Sequence, residues 1–532
     1  MKSTEVTSQL TTTDKASEWA THYLGKNVTI SNISYLIQYG RIKKYENNGR
    51  TLVNLSELKE YYQTQVHPKE KEWKQNLGND LNWILSFDQY KESERTKHVH
   101  RLHPYKGKFI PQLVEYFIDD HVDEFKQDVF FRKGDIILDP FCGSGTTLVQ
   151  ANELGINGIG IDISAFNSFI SNSKLLKYDL VELTRTLSSI TVKLKEFQKE
   201  FSSIKFDQHI LEELKKFNDK YFPSPDYRRW VRLKQIDEKV YGDEKERIFK
   251  DIYYQLLDKY QLTVKQDNGI SFIDTWFLAP VRKEIDFVFE QVKQIQSVPI
   301  RKIAGIILSR TIRSCRATTH ADLATLISPV TETYYCKKHG KICKPIFSIL
   351  SWWQRYSNDT IKRLKEFDRL RTDAYQFCLT GDSRNIDILA QLKAKYKILA
   401  NLVENKKIQG IFSSPPYVGL INYHEQHAYA YDLFGFERND DSEIGNLYKG
   451  QGKDARNSYV EGVSQVLNNC KNYLVDDYNI FLVANDKWNL YPKIAEKSDM
   501  IIVNQYKRPV LNRVEKGQSA YSEIIFHLKS KN

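Results

Sequence analysis

The residues most suited to chemistry stand at Ser414-Pro415-Pro416-Tyr417, one residue after the apolar pair Ile411-Phe412. Proline fixes φ and has no backbone N–H, so two prolines end a strand abruptly and hold the neighbouring carbonyls rigidly. A rigid row of carbonyls followed by an aromatic ring can hold a flat ligand. A strand-terminating turn with a surface tyrosine explains these residues equally well, so the rest of the chain has to decide.

A second motif, DPFCGSGTT, begins at Asp139 after an apolar run that is typical of a strand. Gly143 and Gly145 allow a sharp turn, through which a ligand can approach the main-chain N–H groups that start the next helix. The Gly-Lys-Ser/Thr of a phosphate-binding loop is missing, which argues against nucleotide hydrolysis. Asp139 can accept from an amine, and Asp162 at the end of the next strand can accept both ribose hydroxyls. The pair predicts a nucleoside-bearing cofactor.

Four motifs occur in order, DPFCGSGT, GIDIS, LTGDSRNI and SSPPY, and HPYKGKF precedes them. Together they resemble the ordered motifs of S-adenosylmethionine-dependent amino-methyltransferases that act on DNA. The resemblance covers residues 98–178 and 376–532. It implies S-adenosylmethionine as the cofactor, contacted before the first motif by Lys106, Lys108 and Phe109. It further implies contacts to the methionine portion from Asp139, Phe141, Gly143 and Gly145, to the ribose from Asp162, and to the adenine from Asp382 and Ser383.

The same resemblance gives Ser414, Pro415, Pro416 and Tyr417 a catalytic role. An exocyclic amine is a poor nucleophile because its lone pair is delocalised into the base. Ser414 and the Pro415 carbonyl can accept the two amine protons, which aims the lone pair at the methyl carbon. Because the amine is buried in a duplex, the base must rotate out of the stack, and Tyr417 supplies a ring on which it stacks. We therefore predict direct methyl transfer.

The identity of the base follows from the residue before Pro-Pro-Tyr. Relatives with serine there methylate cytosine at N4, whereas aspartate or asparagine is usual for adenine N6. Phe-Ser-Ser departs slightly from the N4 pattern, which usually has threonine before the second serine. We predict a site-specific cytosine-N4 DNA methyltransferase, with adenine N6 as the alternative. Cytosine C5 chemistry needs a Pro-Cys nucleophile, and no such dipeptide occurs in the chain.

Two rival functions use the same motifs. An RNA guanine-N2 methyltransferase can share DPFCGSGT, but such enzymes typically carry Asp-Pro-Pro-Tyr and an RNA-binding domain ahead of the core. A DNA-binding regulator with a non-catalytic core is the alternative from another class. The resemblance implies a restriction–modification system, in which a separately encoded endonuclease is a partner.

The elements that position these motifs alternate between strand and helix, which predicts an α/β Rossmann-like core with a mostly parallel sheet and an antiparallel strand at the carboxyl end. Long Lys/Glu-rich segments of helical periodicity interrupt this alternation. We expect the cofactor half of the core in residues 98–178 and its catalytic half in 376–532. Residues 179–375 are expected to form a mainly helical insertion that contains the target-recognition region.

The chain ahead of the core predicts a small module in residues 1–64 and a connector in 65–97. The order is a short helix, a second helix after Thr29, a turn at Gly40, a hairpin around Asn48-Gly49 and a closing helix from Leu55. This resembles the winged helix of excisionase and MerR-like proteins, although a plain helical subdomain is equally compatible. The DNA contacts that this interpretation implies are Lys43, Lys44 and Arg50.

The insertion contains two further candidate groups. Arg310 and Arg313 lie three apart, on one face of a helix, which suits phosphate contacts as well as a solvated basic face. Cys336-x2-His339-x3-Cys343 has a spacing that a structural zinc could use, with Cys315 or His320 as the fourth ligand. This is not one of the strong paired-cysteine spacings. We therefore expect no metal, and interpret the group as buried cysteines with a DNA-facing histidine.

The composition fits these interpretations. The formal net charge of +11 favours a polyanionic partner, for which double-stranded DNA is the leading candidate. Six cysteines scattered through 532 residues do not form a disulfide framework, which fits a reducing compartment. No apolar run is long enough to cross a bilayer, and the first residues lack a hydrophobic signal core. We expect a cytoplasmic protein.

Overall fold

The amino-terminal module contains the predicted helices and hairpin. The computed structural model describes residues 10–24, 28–38, 40–47, 50–65, 81–82, 84–87, 90, 92–105, 107–266, 271–320, 322, 326–510 and 521–531. The first elements are β1 (Leu10–Thr12), α1 (Thr13–Leu24), α2 (Ile30–Gln38), β2 (Tyr45–Asn47), β3 (Arg50–Asn54) and α3 (Leu55–Gln65). Thr29 caps α2, since its Oγ1 accepts from the Asn32 N–H at 3.2 Å. Gly40 turns the chain after α2 with φ of +63°.

The three strands of the module form an antiparallel sheet in the order β1-β3-β2. Asn47 pairs with Arg50, as the predicted two-residue turn requires, although Asn48 and Gly49 themselves lie outside the described residues. The strand β1 was not predicted, because Leu-Thr-Thr is too short to show a pattern. The helices cover this sheet with a small core of their own, formed by Ala16, Ala20, Ile33, Leu36, Val53 and Leu58.

Nine further strands follow among the described residues: β4 (Ile136–Asp139), β5 (Asn157–Asp162), β6 (Tyr334–Cys336), β7 (Lys341–Cys343), β8 (Gln376–Thr380), β9 (Ile408–Ser413), β10 (Leu474–Ala484), β11 (Met500–Pro509) and β12 (Ser522–Ser530). Strands β6 and β7 form a separate hairpin. The other seven form one sheet in the order β11-β12-β10-β9-β4-β5-β8. Only β12 runs against its neighbours, so the predicted α/β fold with an antiparallel carboxyl-terminal strand is confirmed.

The helices after α3 are α4 (Glu92–Arg95), α5 (Pro111–Ile118), α6 (Thr146–Glu153), α7 (Ala165–Leu175), α8 (Leu180–Gln198), α9 (Ser202–Tyr221), α10 (Asp226–Arg232), α11 (Glu238–Tyr260), α12 (Phe272–Trp276), α13 (Ala279–Lys293), α14 (Val298–Ser314), α15 (Leu350–Asp368), α16 (Ile388–Lys395), α17 (Lys397–Lys406), α18 (Ala428–Phe434), α19 (Lys453–Lys471) and α20 (Tyr491–Lys497). None of them is long and apolar enough to cross a bilayer, within the part of the chain that the structure describes.

The sheet is buried on both faces, as a parallel sheet requires. On one face, Ile136 and Leu138 of β4 pack with residues of α16, α17, α19 and α20. On the other face, Ile137 packs with residues of α5 and α6. Since alternate side chains of β4 serve opposite layers, every residue of this short strand is buried.

Helices α8 to α15 and the β6–β7 hairpin lie between α7 and β8, and share the largest apolar cluster of the described residues. Leu183, Leu187, Ile190 and Leu194 of α8 recur at the spacing of one helical face and are buried there. Tyr429, Ala430 and Leu433 of α18 belong to the same cluster. The segment that follows Tyr417 therefore returns to the inserted helices, which joins the strand-end loops to the insertion.

Candidate functional site

The predicted site residues meet at the carboxyl edge of the sheet. The chain leaves β4 towards β5 and β8 on one side, whereas β9 and β10 lie on the other, and ligands bind at such a reversal of strand order. A pocket with about 840 Å³ of empty space opens there. The predicted residues that line it are Lys108, Phe109, Phe141, Gly143, Asp162, Asp382, Ser383, Ser414 and Pro416.

The loop between β4 and α6 is built on left-handed backbone. Gly143 and Gly145 have φ of +51° and +77°, which other residues adopt at a cost. A Cβ on Gly145 would overlap Ser171 Oγ and lie 3.2 Å from Ser171 Cα. The Gly143 N–H donates to Asp162 Oδ2 at 2.7 Å. The loop is thus fixed by α7 on one side and by the end of β5 on the other.

Asp162 is buried at the end of β5 and faces the pocket. Besides the Gly143 N–H, its carboxylate accepts from the Ser164 N–H at 2.8 Å and from Asn167 Nδ2 at 3.1 Å. Burial outweighs these bonds and raises the pKa of Asp162 to about 6. Asp162 is therefore an oriented acceptor whose charge changes near physiological pH.

Asp139 lies beneath the pocket and is not among the residues that line it. Its Oδ1 accepts from Ser413 Oγ at 2.5 Å and from the Phe141 N–H at 3.2 Å. Because it is buried, its pKa is raised to about 6. In this position Asp139 ties the end of β4 to the end of β9, and its contact with a cofactor amine stays a prediction.

The loop after β9 begins with Ser414, whose Oγ donates to the Val483 carbonyl at 3.1 Å. Pro415 is buried and Pro416 lines the pocket. Tyr417 stands beside the pocket, and its hydroxyl donates to Glu523 Oε1 at 3.0 Å. Glu523 Oε2 also accepts a hydrogen bond from Arg508 Nε at 3.0 Å. The tyrosine ring is therefore anchored to β11 and β12.

Asp382 and Ser383 follow β8. Arg384 Nε lies 2.9 Å from each oxygen of Asp382, so the carboxylate is held by its own loop. Ser383 Oγ donates to the Pro140 carbonyl at 2.6 Å, which connects this loop to the one after β4. Both residues line the pocket, and their predicted contact with an adenine stays a prediction.

The segment before α5 also lines the pocket. Lys108 Nζ donates to the His100 carbonyl at 2.7 Å, and burial lowers the pKa of Lys108 to about 8. Phe109 packs edge-on against Phe412 of β9. Lys106, also predicted to contact the cofactor, lies outside the described residues.

Several residues that line the pocket were not among the contacts predicted from the sequence. They are Tyr105, Ser144, Asn167, Tyr423 and Glu443. Tyr105 stands inside HPYKGKF, which could have revealed it. Glu443 comes from the loop after α18, and a hydrogen bond between its carboxylate and buried His424 orients it. Its approach to the pocket depends on tertiary structure alone.

The donor set of the pocket fits a polar nucleoside ligand. Ser144 Oγ and Asn167 Oδ1 are buried there and have no hydrogen-bond partner among the described residues. Unpaired buried polar atoms are costly, and a ligand hydroxyl or amine would satisfy them. Asp162 and Glu443 add carboxylates to the same wall.

The predicted DNA contacts fall into two groups. Arg310 is buried, lies 4.1 Å over the Tyr356 ring and pairs with Asp359 at 2.6 Å, so its charge is already used inside the insertion. Arg313 is partly buried. The residues on the module differ, because Lys43, Lys44 and Arg50 are all exposed on or beside the β2–β3 hairpin. Lys44 forms an ion pair with Glu46.

The predicted cysteine and histidine group comes together at the β6–β7 hairpin. Cys336, His339 and Cys343 are joined there by His320 from the loop after α14. Cys315 is not part of this group, because its side chain is buried in the apolar cluster of the inserted helices. Of the two predicted fourth members, the structure therefore brings in the histidine.

Comparisons with known proteins agree with this arrangement. The family model for N6/N4 DNA methylases matches residues 20–171. The type II methyltransferase M.MjaII of Methanocaldococcus jannaschii is 48% identical over 525 residues, which cover 98% of this chain and 97% of that protein. The type II methyltransferase M.BsoBI of Geobacillus stearothermophilus is 40% identical over 101 residues, covering 19% of this chain and 18% of its own. A probable tRNA (guanine(10)-N2)-dimethyltransferase of Methanothermococcus thermolithotrophicus is 39% identical over only 59 residues, 11% of this chain and 35% of its own.

Proposed function

Since the chain belongs to the DNA amino-methyltransferases of restriction–modification type, we propose that it transfers the methyl group of S-adenosylmethionine to the N4 amine of cytosine in a specific double-stranded sequence. It is a type II DNA methyltransferase of the N6/N4 family. The proposal concerns its base, its cofactor and the residues that act on them.

The observation that carries the proposal is the direction of the Ser414 hydroxyl. Its hydrogen is directed to the Val483 carbonyl, so the lone pairs of Oγ remain available as acceptors beside the pocket. An acceptor placed there can bind a proton of the target amine and favour pyramidal nitrogen. The Pro415 carbonyl is the second acceptor that we assign, held rigidly by the two prolines. Both contribute by positioning and by sharing the charge that develops on nitrogen.

Bound S-adenosylmethionine supplies an electrophilic methyl carbon on its sulfonium. For its ribose we assign Asp162, whose carboxylate is already oriented by three donors. Asp382 and Ser383 are assigned to the adenine, and Lys108, Phe109, Phe141, Gly143 and Gly145 to the methionine portion and the loops that enclose it. The unpaired Ser144 Oγ and Asn167 Oδ1 support a polar ligand in this pocket.

The target base must leave the helix to reach Ser414, because its amine is paired inside the duplex. We assign Tyr417 as the ring on which it stacks. The bond to Glu523 supports this role, since it fixes the plane of the ring and lowers the entropy lost when a base is received. Comparable stacking contributes ~1–3 kcal/mol per base.

Cytosine N4 is favoured over adenine N6 by serine, in place of aspartate or asparagine, before Pro-Pro-Tyr. A hydroxyl can accept from an amine without the full charge of a carboxylate. Adenine N6 is the alternative at the same pocket.

Target recognition is assigned to the inserted helices and to the amino-terminal module. The exposed Lys43, Lys44 and Arg50 on the module suit phosphate contacts, and the net charge of +11 supports electrostatic binding. In the proposed system, a separately encoded endonuclease cuts the sequence that this protein protects.

The test is an isotopic nucleoside analysis. Unmethylated genomic DNA is incubated with the protein and with S-adenosylmethionine that carries a deuterated methyl group, and the hydrolysed nucleosides are identified by mass spectrometry. We expect labelled N4-methylcytosine, and none with Asp162→Ala at limiting cofactor. Labelled N6-methyladenine would replace the proposal by its alternative. No label in any base, from folded protein on DNA that contains all short sequences, would contradict methyl transfer altogether.

A further inference from the structure

Four potential metal ligands converge at one point of the insertion, far in the chain from the strand-end motifs. They are His320 from the loop after α14, Cys336 at the end of β6, His339 in the turn and Cys343 at the end of β7. One ligand atom from each lies within 4.8 Å of every other. The hairpin pairing explains part of this convergence, because Tyr334 is opposite Cys343 and Cys336 is opposite Lys341.

The separations match a tetrahedral metal site. Zinc bonds of about 2.3 Å to sulfur and about 2.0–2.1 Å to nitrogen imply edges of about 3.5 Å between ligand atoms. Cys336 Sγ lies 3.7 Å from His320 Nδ1, and Cys343 Sγ lies 3.5 Å from His339 Nδ1. The ring centroids of His320 and His339 lie 4.2 Å apart. Two thiols and two imidazoles at these distances leave room for one small cation between them.

The surroundings favour a metal over an apolar cluster of cysteines. His339 is exposed at the tip of the hairpin, so no burial of its own accounts for its contact with Cys343. The neighbouring Lys337, Lys338 and Lys341 are exposed as well. Two thiolates would balance the charge of a divalent ion, so a loaded site would be neutral amid these lysines.

We propose that His320, Cys336, His339 and Cys343 bind one structural Zn²⁺. Two thiolates and two neutral imidazoles are a preferred zinc set, and four protein ligands leave no open position for a substrate. The ion therefore has no part in the chemistry at Ser414. Its effect is to join the loop after α14 to the β6–β7 hairpin, which otherwise has only two strands of three residues each.

The hairpin that carries three of the four residues also contacts neighbouring helices of the insertion. Asn218 of α9 exchanges two hydrogen bonds with Ile342 of β7, each of 3.0 Å, and the Tyr335 N–H donates to Glu246 of α11 at 2.7 Å. Arg228 of α10 donates to the Lys338 carbonyl in the hairpin turn. A Cβ on Gly40 of the amino-terminal module would lie 3.3 Å from Arg228 Cβ. The proposed zinc thus fixes a hairpin that supports the contact between the module and the insertion.

Tyr334 offers an internal control. Its hydroxyl lies 2.8 Å from His320 Nδ1 and also accepts from the His320 main-chain N–H at 3.2 Å. Zinc bound through Nδ1 would replace the first of these contacts and leave the second. Tyr334→Phe should therefore retain the metal, whereas a site that depends on the hydroxyl would lose it.

The experiment measures metal content in the full-length protein, expressed with added zinc and purified under reducing conditions without chelator. Elemental mass spectrometry should find one zinc per chain in the wild type, in Tyr334→Phe and in Cys315→Ser. Cys336→Ser and Cys343→Ser should lower the zinc content at least fivefold. Cys315→Ser is the matched control, because it removes a buried thiol of the same region that lies outside the four-residue set.

A second measurement covers the case in which the serine variants do not fold. Cobalt exchanged into the wild type should give the intense visible absorption of a tetrahedral site and a near-ultraviolet band from thiolate ligation. Modification of two thiols per chain should release the metal. Any of four results would overturn the proposal. The first two are less than one tenth of a zinc per chain in the wild type and cobalt spectra without thiolate bands. The others are a loss of zinc in Cys315→Ser equal to that in the Cys336 and Cys343 variants, and a disulfide between Cys336 and Cys343 in protein kept reduced.

Discussion

The two loops that enclose the pocket are built from opposite kinds of residue. The loop after β4 turns on Gly143 and Gly145, whose φ values are positive, and its Gly143 N–H donates to Asp162. The loop after β9 contains Pro415 and Pro416, which offer carbonyls and no N–H at all. The first loop thus orients Asp162, the acceptor that we assign to the ribose, and the second offers carbonyls to an amine. One sheet edge can therefore bring together the residues that we assign to the two substrates.

The loops are nevertheless one mechanical unit. The bond from Ser413 Oγ to Asp139 joins the strand ends directly below them, and Ser383 Oγ attaches the loop after β8 through Pro140. A displacement of either loop would move the other. For a reaction in which two bound groups must meet within about 3–3.5 Å, such coupling preserves the alignment.

The largest expected effect is at the loop after β9, which contains Pro415 and Pro416 and is called the proline loop below. Ser414→Ala removes the acceptor for the target amine and should lower the single-turnover rate by ~10²–10³, the usual cost of one preorganised hydrogen-bonding group. The affinities for DNA and cofactor should change less than threefold, because the lost interaction belongs to the transition state. Rapid-quench methylation and separate binding titrations measure the two effects.

The matched control for this variant is Ser458→Ala, an exposed serine of α19. It should keep the wild-type rate. A full rate in Ser414→Ala would mean that the proline loop does not hold the amine.

In the loop after β4, which contains Gly143 and Gly145 and is called the glycine loop, a substitution should lower the free energy of unfolding. Gly145→Ala places a Cβ against Ser171 on a backbone of φ +77°, so strain and overpacking together should cost about 2–4 kcal/mol of unfolding free energy. Gly435 has a similar φ of +68° but nothing within 4 Å of its Cβ position. Gly435→Ala should therefore cost only about 1 kcal/mol. Urea denaturation compares the two, and equal losses would show that contact with α7 is unimportant.

Tyr417 tests whether the proline loop receives a base as well as an amine. Tyr417→Ala should lose ~1–3 kcal/mol of base capture, whereas Tyr417→Phe keeps the ring and leaves Glu523 paired with Arg508. A fluorescent base analogue at the target position, which brightens when it is unstacked, reports capture separately from chemistry. If both variants lost capture equally, the hydroxyl and its anchor would matter more than the stacking surface.

Both loops could be predicted because each is a contiguous run of residues with restricted backbone chemistry. The same holds for α1, α2 and the β2–β3 hairpin. The connections between these runs could not be predicted. Ser413 and Asp139 are 274 positions apart, and Glu443 enters the pocket from a loop without a motif. Such contacts depend on how the sheet orders its strands.

In the insertion, too, the spacing of residues in the sequence did not decide which of them come together. The spacing of Arg310 and Arg313 suited a phosphate-binding face and a solvated basic face equally, but Asp359, 49 positions later, forms an ion pair with Arg310. Cys315 and His320 were equivalent as fourth members of the Cys/His group by spacing alone. Only the packing of α14, which buries Cys315 and leaves the following loop near the hairpin, separates them.

Two carboxylates, Asp139 and Asp162, bond to the loops. Burial raises the pKa of both to about 6. Their effect on the stability of the free protein has one sign. A raised folded-state pKa contributes stability that is fully present below the unfolded value of 3.8 and is lost as pH rises through about 6. Each group corresponds to about 3 kcal/mol across that window.

Cofactor affinity should run in the opposite direction, because only the ionised Asp162 is a full acceptor for two ribose hydroxyls. Binding of S-adenosylhomocysteine, measured by calorimetry, should weaken roughly tenfold from pH 7 to pH 5, as the carboxyl with a pKa of about 6 takes up its proton. Asp162→Asn should bind weakly at both pH values and abolish this dependence. Asp139→Asn should keep it, because Asp139 is bonded to Ser413 below the pocket, while removing its share of the pH-dependent stability. A pH dependence that disappears in Asp139→Asn and persists in Asp162→Asn would exchange the two roles, and would make the carboxylate beneath the loops the one that senses the ligand.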